Sequence, residues 1–528
     1  MSQLETPAAN ATIVAWKGRP TWQLIRHVTE VTRAGAGDGV TKWIELIASL
    51  QEATEGSPTF GQFPMTVGAR PGDLNAVLFL VPQLIELDIS ARAAGGIVQE
   101  HAARILRRAT VAAEARWDEE VFDPHRDFKS YTNVFLLYVR ALLMLGRHLD
   151  DARLVRKGLA QWKRWYFHFA YHGLDEFASP TYHGVDVEAL RAIRVHAPDE
   201  SVRNQATRTI EFIAAFEHAI THPRLGLFVC GSARHYRDFS NTIDKPDLTH
   251  WKGDHARDVP DAVKSEFDRR VYPFRASGRA GARPFLFSTW QSEHSAVGSM
   301  TGGNYFWQQI HWMAAVGNSP IERAVAWMPG TLTPTSGHVC QRDNAALCVF
   351  HRLPHSFHRT QSQVSDQQVR ATLEEYGIGV QNNWAASRDE RERYLFRAHA
   401  HVLVVQPFVL RSDRIERTTL SMVERSNIGQ VIHHSRPSAF TEWVFATEPL
   451  WFGCLVTLVP DGQIPEPATV TFSRDEAAMK FTTSAGLNIT LFVRPSGEVV
   501  ELFNLPMAQV PLLNALTCVI HPGDILVR

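Results

Sequence analysis

The chain has 528 residues, of which 45% are hydrophobic and 21% charged, and its formal net charge at pH 7 is -1. That length and composition imply two or more globular domains with ample core. A charge so near zero excludes a global field that would draw nucleic acid or an anionic membrane, so neither partner is expected, and any anionic ligand must meet a local basic cluster. Five scattered cysteines (Cys230, Cys340, Cys348, Cys454 and Cys518) contain no CxxC pair, which argues against a disulfide framework and a thiolate zinc site. The opening Met-Ser-Gln-Leu-Glu-Thr-Pro has neither the basic nor the apolar region of a signal peptide, and no apolar run approaches membrane-spanning length. A cytoplasmic protein is the expectation.

From the start to about residue 274 the hydrophobic period is helical. Amphipathic helices are expected over 21–31 and 40–53. Asp73 is placed to cap the next helix, 74–86, and a long one-sided helix follows over 91–117. Residues 132–146 are apolar almost all round, the pattern of a helix buried on every side. Helices over 149–166, 185–195 and 201–221 complete this half. Alternation of all-round and one-sided apolar helices suggests an inner and an outer ring, an α/α toroid over residues 1–274. Beyond it, 275–283 is rich in Gly, Ala and Arg and reads as a linker. Short strand-like runs then recur at 284–289, 346–351, 400–409, 453–459, 468–473, 487–494 and 498–503, with a local helix expected at 310–315. The expected fold class is therefore α+β and multidomain, with a C-terminal antiparallel β-sandwich over 284–528.

The densest chemistry lies in Glu176-Phe-Ala-Ser-Pro-Thr-Tyr182-His183-Gly-Val-Asp186. Pro180 stiffens the backbone before Tyr182 and His183, and a helix begins just after them. The positive end of that helix favours anions and lowers phenol and carboxyl pKa values, as a tyrosine base requires. Read blandly, Ser179 or Thr181 caps a turn and Tyr182 packs on the core. Asn133 opens the most buried helix, where an amide can bond a carboxylate or cap the helix. Arg234, His235 and Tyr236 follow a short strand-like run at 225–230, and an arginine fork suits a carboxylate. Trp290 offers a face for a sugar ring, with Glu293 and His294 close behind it. His351, His355, His358, His433 and His434 lack a carboxylate or thiolate at a completing spacing, so no metal centre is expected. No dinucleotide, Walker A, GxSxG or HExxH motif is present.

Helices first, strands after, and these short polar loops together resemble the polysaccharide lyases of the chondroitin AC/hyaluronate, alginate and heparinase type. The resemblance implies a toroid joined to a sandwich, and a working set of Asn, His, Tyr and Arg. Its matching positions are Asn133, Tyr182 with His183, and Arg234, with Glu293 for a glutamate of the cleft wall. In those enzymes the His precedes the Tyr, whereas His183 follows Tyr182, so His235 or Tyr236 can take one of the two roles. Glu176, His235, Tyr236, Trp290, Glu293 and His294 are then substrate-binding. The implied reaction is β-elimination on an acidic oligosaccharide or polysaccharide, without metal or organic cofactor. Asn133 and Arg234 would neutralise the uronate carboxylate, and Tyr182 and His183 would move the proton. The alternatives are a glycoside hydrolase built on Glu176 with a second carboxylate from Asp186, Asp238 or Glu293, an elimination or isomerisation on a small metabolite, and carbohydrate binding without catalysis through Trp290, Tyr236 and Trp251.

Overall fold

In a computed structural model the chain divides into two compact units, residues 1–168 with 186–207 and residues 169–185 with 208–528. The structure describes residues 15–35, 39–120, 132–176, 178–232, 248–281, 285–301, 310–328, 335–352, 377–381, 383–411, 414–417, 420–425, 440–445, 451–473, 478–482, 488–493 and 499–503. Helices fill the first part of the chain and antiparallel sheets the second, so the class is α+β. Among the described residues, no helix is long and apolar enough to cross a membrane.

The helices are α1 (Thr21–Arg33), α2 (Gly39–Leu50), α3 (Ala76–Ala94), α4 (Gly96–Glu120), α5 (Thr132–His148), α6 (Ala152–His172), α7 (Tyr182–His196) and α8 (Glu200–Ile220). The sequence reading ran one helix across 91–117. Instead, Gly95 and Gly96 lie at φ 70° and 56°, a left-handed pair that ends α3 and starts α4. Asp73 does not cap α3: its Oδ1 accepts the Asn75 N–H at 2.8 Å, forming a turn just ahead of the helix.

In the first unit α3 packs against α1, α4 and α5. As the pattern indicated, α5 is buried on all sides, with nearly every residue from Thr132 to Gly146 inside. The same holds for much of α3, although it contains Pro82. A proline has no N–H, so the carbonyl four residues earlier, that of Leu78, loses its helical partner. Arg140 of α5 replaces it, donating from Nη2 to the Leu78 oxygen at 2.7 Å. Burial pulls the Arg140 pKa down to about 10 against the opposing charge of Glu188. At the other end of the same helices, Asp88 Oδ2 accepts from Arg92 and from the His148 ring, each at 2.8 Å.

In the second unit β1 (Thr221–His222) and β2 (Leu227–Phe228) form a short hairpin directly after α8. A helix α9 (Asp261–Asp268) precedes the strands β3 (Phe274–Ala280), β4 (Phe285–Gln291), β5 (Ser295–Thr301), β6 (Trp312–Gly317), β7 (Arg323–Met328), β8 (Thr335–Arg342) and β9 (Ala345–Arg352). Then come β10 (Gly377–Gln381), β11 (Ala385–Arg388), β12 (Tyr394–Ala398), β13 (His401–Arg411), β14 (Arg414–Arg417), β15 (Leu420–Arg425), β16 (Phe440–Phe445) and β17 (Trp451–Pro460). The last four, β18 (Thr469–Ser473), β19 (Ala478–Thr482), β20 (Asn488–Val493) and β21 (Val499–Phe503), pair in sequence order. One sheet runs β15-β16-β10-β7-β6-β5-β4-β3 and a second runs β11-β12-β13-β17-β9-β8, with β14 on β13. A single buried cluster joins Trp312, Ala326 and Met328 of the first sheet to Cys348, Phe396 and Val456 of the second, which makes the pair a β-sandwich.

Two expectations fail here. The segment 275–283 is not a linker, because β3 occupies it through Ala280. Small residues hide the alternation, yet Phe274, Ala276, Gly278 and Ala280 face inward. The helix expected at 310–315 is strand β6, buried on both faces, and such a strand lacks the period-two signature.

The Pro82–Arg140 pair makes a testable prediction. Arg140→Met should lower stability to urea by roughly 1–3 kcal/mol, because the Leu78 carbonyl is left buried without a donor. In a Pro82→Ala background, where residue 82 regains its N–H, the same change should cost clearly less. A double-mutant cycle of urea midpoints measures that coupling.

Candidate active site

The stretch between α6 and α7 is built by its small and stiff residues. Gly173, at φ 74°, ends α6, and its N–H bonds the Phe169 carbonyl at 2.8 Å. Asp175, Glu176 and Ser179 are buried. Ser179 Oγ accepts the Tyr182 N–H at 3.3 Å and the Ser179 carbonyl accepts the His183 N–H at 3.0 Å, with Pro180 between them. A capping serine followed by proline is the sequence signature of a helix start. Tyr182 and His183 therefore sit in the first turn of α7, which starts three residues earlier than the 185 read from the sequence, and the capping role read for Ser179 is real as well. Tyr182 is half-buried and His183 is fully buried.

His183 leads to a residue the sequence reading missed. Its Nδ1 lies 2.9 Å from Oε1 of Glu217, which is fully buried on α8. The other oxygen, Oε2, is 2.7 Å from His250 Nε2 and also accepts the Trp251 indole N–H. A carboxylate only accepts, so both histidines present a ring N–H to it. Burial pushes the Glu217 carboxyl up, but the charge of His250 and the hydrogen bonds from His183 and His250 outweigh it and leave its pKa at about 2. Glu217 is thus an ionised carboxylate held by three N–H donors. Its signal was present in the sequence: positions 213, 216, 217 and 220 share one helical face, and Ile213, Phe216 and Ile220 are all buried there. A glutamate among them must have partners.

The remaining nitrogen of His183, Nε2, accepts the Ser179 N–H at 3.4 Å, and Phe216 and Phe228 wall the ring at centroid distances of 5.9 and 6.3 Å. The end of α8 is pinned by a buried arginine. Arg270 donates to the His218 and Thr221 carbonyls, each at 2.6 Å, and to Gln291 Oε1 at 2.8 Å. Burial lowers the Arg270 pKa to about 10, with Tyr272 and Glu266 opposing. A cation bonded to the last carbonyls of a helix suits its dipole and fixes α8, and Glu217 with it.

The other sequence candidates are taken one by one. Asn133 is buried as the second residue of α5, in the first unit. Glu176 is fully buried in the second unit. Trp290 packs against the sandwich core. Glu293 is exposed, 2.6 Å from Arg224 Nη2 and 3.9 Å from the ring of His294. Arg234, His235, Tyr236 and Asp238 lie outside the described residues, as do His355, His358, His433 and His434. Among the described residues, no group of three His, Cys, Asp or Glu side chains is arranged to hold a metal ion.

Residues 93–236 match a family described as "Domain of unknown function (DUF8769)". No curated protein matches the chain. Solved structures similar to it include heparinase III, at 11% identity and TM-score 0.42, covering 89% of this chain and 82% of that one. A second heparinase III structure aligns at 10% identity and TM-score 0.41, with 90% and 85% covered. The chondroitin AC lyase of Streptomyces coelicolor A3, in complex with chondroitin sulphate, aligns at 9% identity and TM-score 0.41, with 90% and 82% covered.

Two predictions follow from Glu217. Replacing it with alanine leaves three buried N–H donors unmet and should cost roughly 3–5 kcal/mol in urea unfolding. Its pKa is depressed from an ordinary 4.5 to about 2, so its contribution is complete above pH 4.5 and is lost as pH falls toward 2. The acid-unfolding curve of Glu217→Gln should lack that component, as measured by tryptophan fluorescence against pH.

Proposed function

We propose that the protein is a lyase that cleaves a uronate-containing oligosaccharide or polysaccharide by β-elimination. The observation that carries this reading is the His183–Glu217–His250 array, beside which the chain sets the half-buried phenol-bearing Tyr182 in the first turn of α7. The proton next to a charged carboxylate is hard to remove. Elimination therefore needs a strong base, a neutralised substrate carboxylate and a proton for the leaving oxygen. Tyr182, in the first turn of α7, carries the phenol this reading assigns to take that proton. An imidazole is suited to hold it and to return it to the glycosidic oxygen. Neutralisation of the substrate carboxylate falls to Asn133 and Arg234 in the sequence reading.

The hydrolase alternative draws less support from the geometry. It needs one carboxyl that stays protonated near neutral pH and a second that is charged, both open to a sugar. Of the carboxylates the sequence offered for it, Glu176 and Asp186 are fully buried, and Glu293 stands exposed in a pair with Arg224.

The test is to incubate the purified protein with a panel of uronate-containing polymers and oligosaccharides while following near-ultraviolet absorbance. Elimination leaves a carbon–carbon double bond conjugated to the carboxylate, and the absorbance should rise. Tyr182→Phe should reduce the rate by about 10²–10⁴-fold, the usual worth of a positioned acid–base group. New reducing ends without absorbance would instead mean hydrolysis.

A further inference from the structure

The two sheets of the sandwich do not end together. The second sheet stops at β8, which is bonded to β5 of the first: Thr301 Oγ1 accepts the Val339 N–H at 3.2 Å, and Gln341 Nε2 donates to the Val297 carbonyl at 2.9 Å. The first sheet continues past β5 through β4 to β3. Residues directly opposite in register share a face. On the sandwich face the rows are Val297–Trp290–Arg275, Ser299–Ser288–Ser277 and Thr301–Leu286–Arg279. Cover thins from strand to strand: the three residues on β5 are buried, the three on β4 half-buried, and Arg279 on β3 is exposed. The other face of β3 and β4 is closed by the end of α8, with Phe216 against Phe287 at 5.6 Å and Ala219 against Phe274 and Ala276.

A sheet face beyond the edge of its partner sheet has no core to pack on, and this one carries two arginines, two hydroxyls and an indole. Trp290 packs against the sandwich core, which holds its ring in place. Arg275, with 40% of its side chain exposed, bonds Asp343 through Nε and keeps both terminal nitrogens for another partner. Asp343 stands in the turn between β8 and β9, and its carbonyl accepts from Gln341 Nε2 at 2.9 Å, so the guanidinium of Arg275 is oriented by a pinned carboxylate. Among the described residues Arg279 has no ion-pair partner. Four residues of strand separate the two arginines, about 13 Å.

We infer that this ledge of β3 and β4 is a binding site for an acidic oligosaccharide chain, with Arg275 and Arg279 bonding carboxylates on separate sugars, Trp290 bearing a sugar ring and Ser277 and Ser288 meeting its hydroxyls. An arginine fork matches a carboxylate, and an indole offers a flat apolar face. The spacing of the arginines calls for a ligand with repeated negative groups rather than one small acid. Single-stranded nucleic acid is also charged and flat-ringed, but it is held by successive stacked aromatic side chains, and this ledge offers one indole. The choice of a uronate ligand rests on the elimination reading. The site itself lies on the face of the strand pair turned away from α8, and so is separate from the Glu217 array.

The experiment is titration calorimetry on the full chain, in a Tyr182→Phe background that keeps turnover from consuming the probe. The probes are unsulphated hyaluronate and polygalacturonate oligosaccharides, a neutral chitin-derived oligosaccharide and a single-stranded DNA. Arg279→Glu should weaken binding of a uronate probe about tenfold or more, the worth of one charge-assisted hydrogen bond. Arg26→Glu, the same charge change on the exposed side of α1, should leave affinity close to that of the background. Trp290→Phe should retain more affinity than Trp290→Ala. Equal losses at Arg279 and Arg26, no binding of either uronate probe, or equal affinity for the neutral oligosaccharide or the DNA overturns the inference. Arg279-dependent binding beside a flat near-ultraviolet assay of wild type sinks the elimination reading and leaves the ledge standing. Turnover without Arg279-dependent binding does the reverse.

Discussion

The helical part of the second unit depends on a buried carboxylate, that of Glu217. An isolated carboxylate inside a protein is so costly that it normally takes up a proton. Glu217 avoids this by accepting from His183, His250 and Trp251. Those donors come from two separate pieces of backbone, and Glu217 itself from a third. His183 is fixed by the Ser179 turn, the helix that carries Glu217 is fixed by Arg270, and His250 and Trp251 stand together in a short helical turn. Charge satisfaction thus sets where the first turn of α7, the end of α8 and residues 249–251 lie relative to one another.

The same logic operates in the first unit with the opposite sign. Pro82 opens a gap in the hydrogen bonding of α3, and Arg140 brings a cation into the helical core to fill it. In these two cases a buried polar group answers a backbone or side-chain group that would otherwise be unpaired. Hydrophobic patterning builds the bulk of each unit, and these few polar bonds fix how its helices register.

Much of the fold was legible because its signals are local. The all-round apolar α5 and the proline-led start of α7 follow from short windows of sequence. The strands β13, β17 and β20 were found from β-branched residues between turns. The failures also have local causes. Two glycines in a left-handed conformation split a helix that reads as continuous, small residues disguise β3, and burial on both faces removes the alternation of β6. The candidate site was legible only in part. Tyr182 and His183 were visible because they crowd one loop, whereas Glu217 meets donors 33 and 34 residues away. No short window contains that bond set. What a window does contain is a glutamate on the apolar face of α8, and that is the cue to search for distant N–H groups.

Those separations bear on how the chain is made. The bond from Glu217 to His183 closes a span of 34 residues on one side, and the bond to Trp251 closes a span of 34 on the other. During synthesis from the N-terminus, His183 and Glu217 emerge first, and the second pair of donors comes only once Trp251 has left the ribosome. Until then the acid has a single partner, and burying it would cost several kcal/mol. With its charge intact, the acid on the inward face of α8 has its full set of donors only when residues beyond 250 are in place. The carboxylate therefore ties full ionised burial of the α8 face to residues beyond 250.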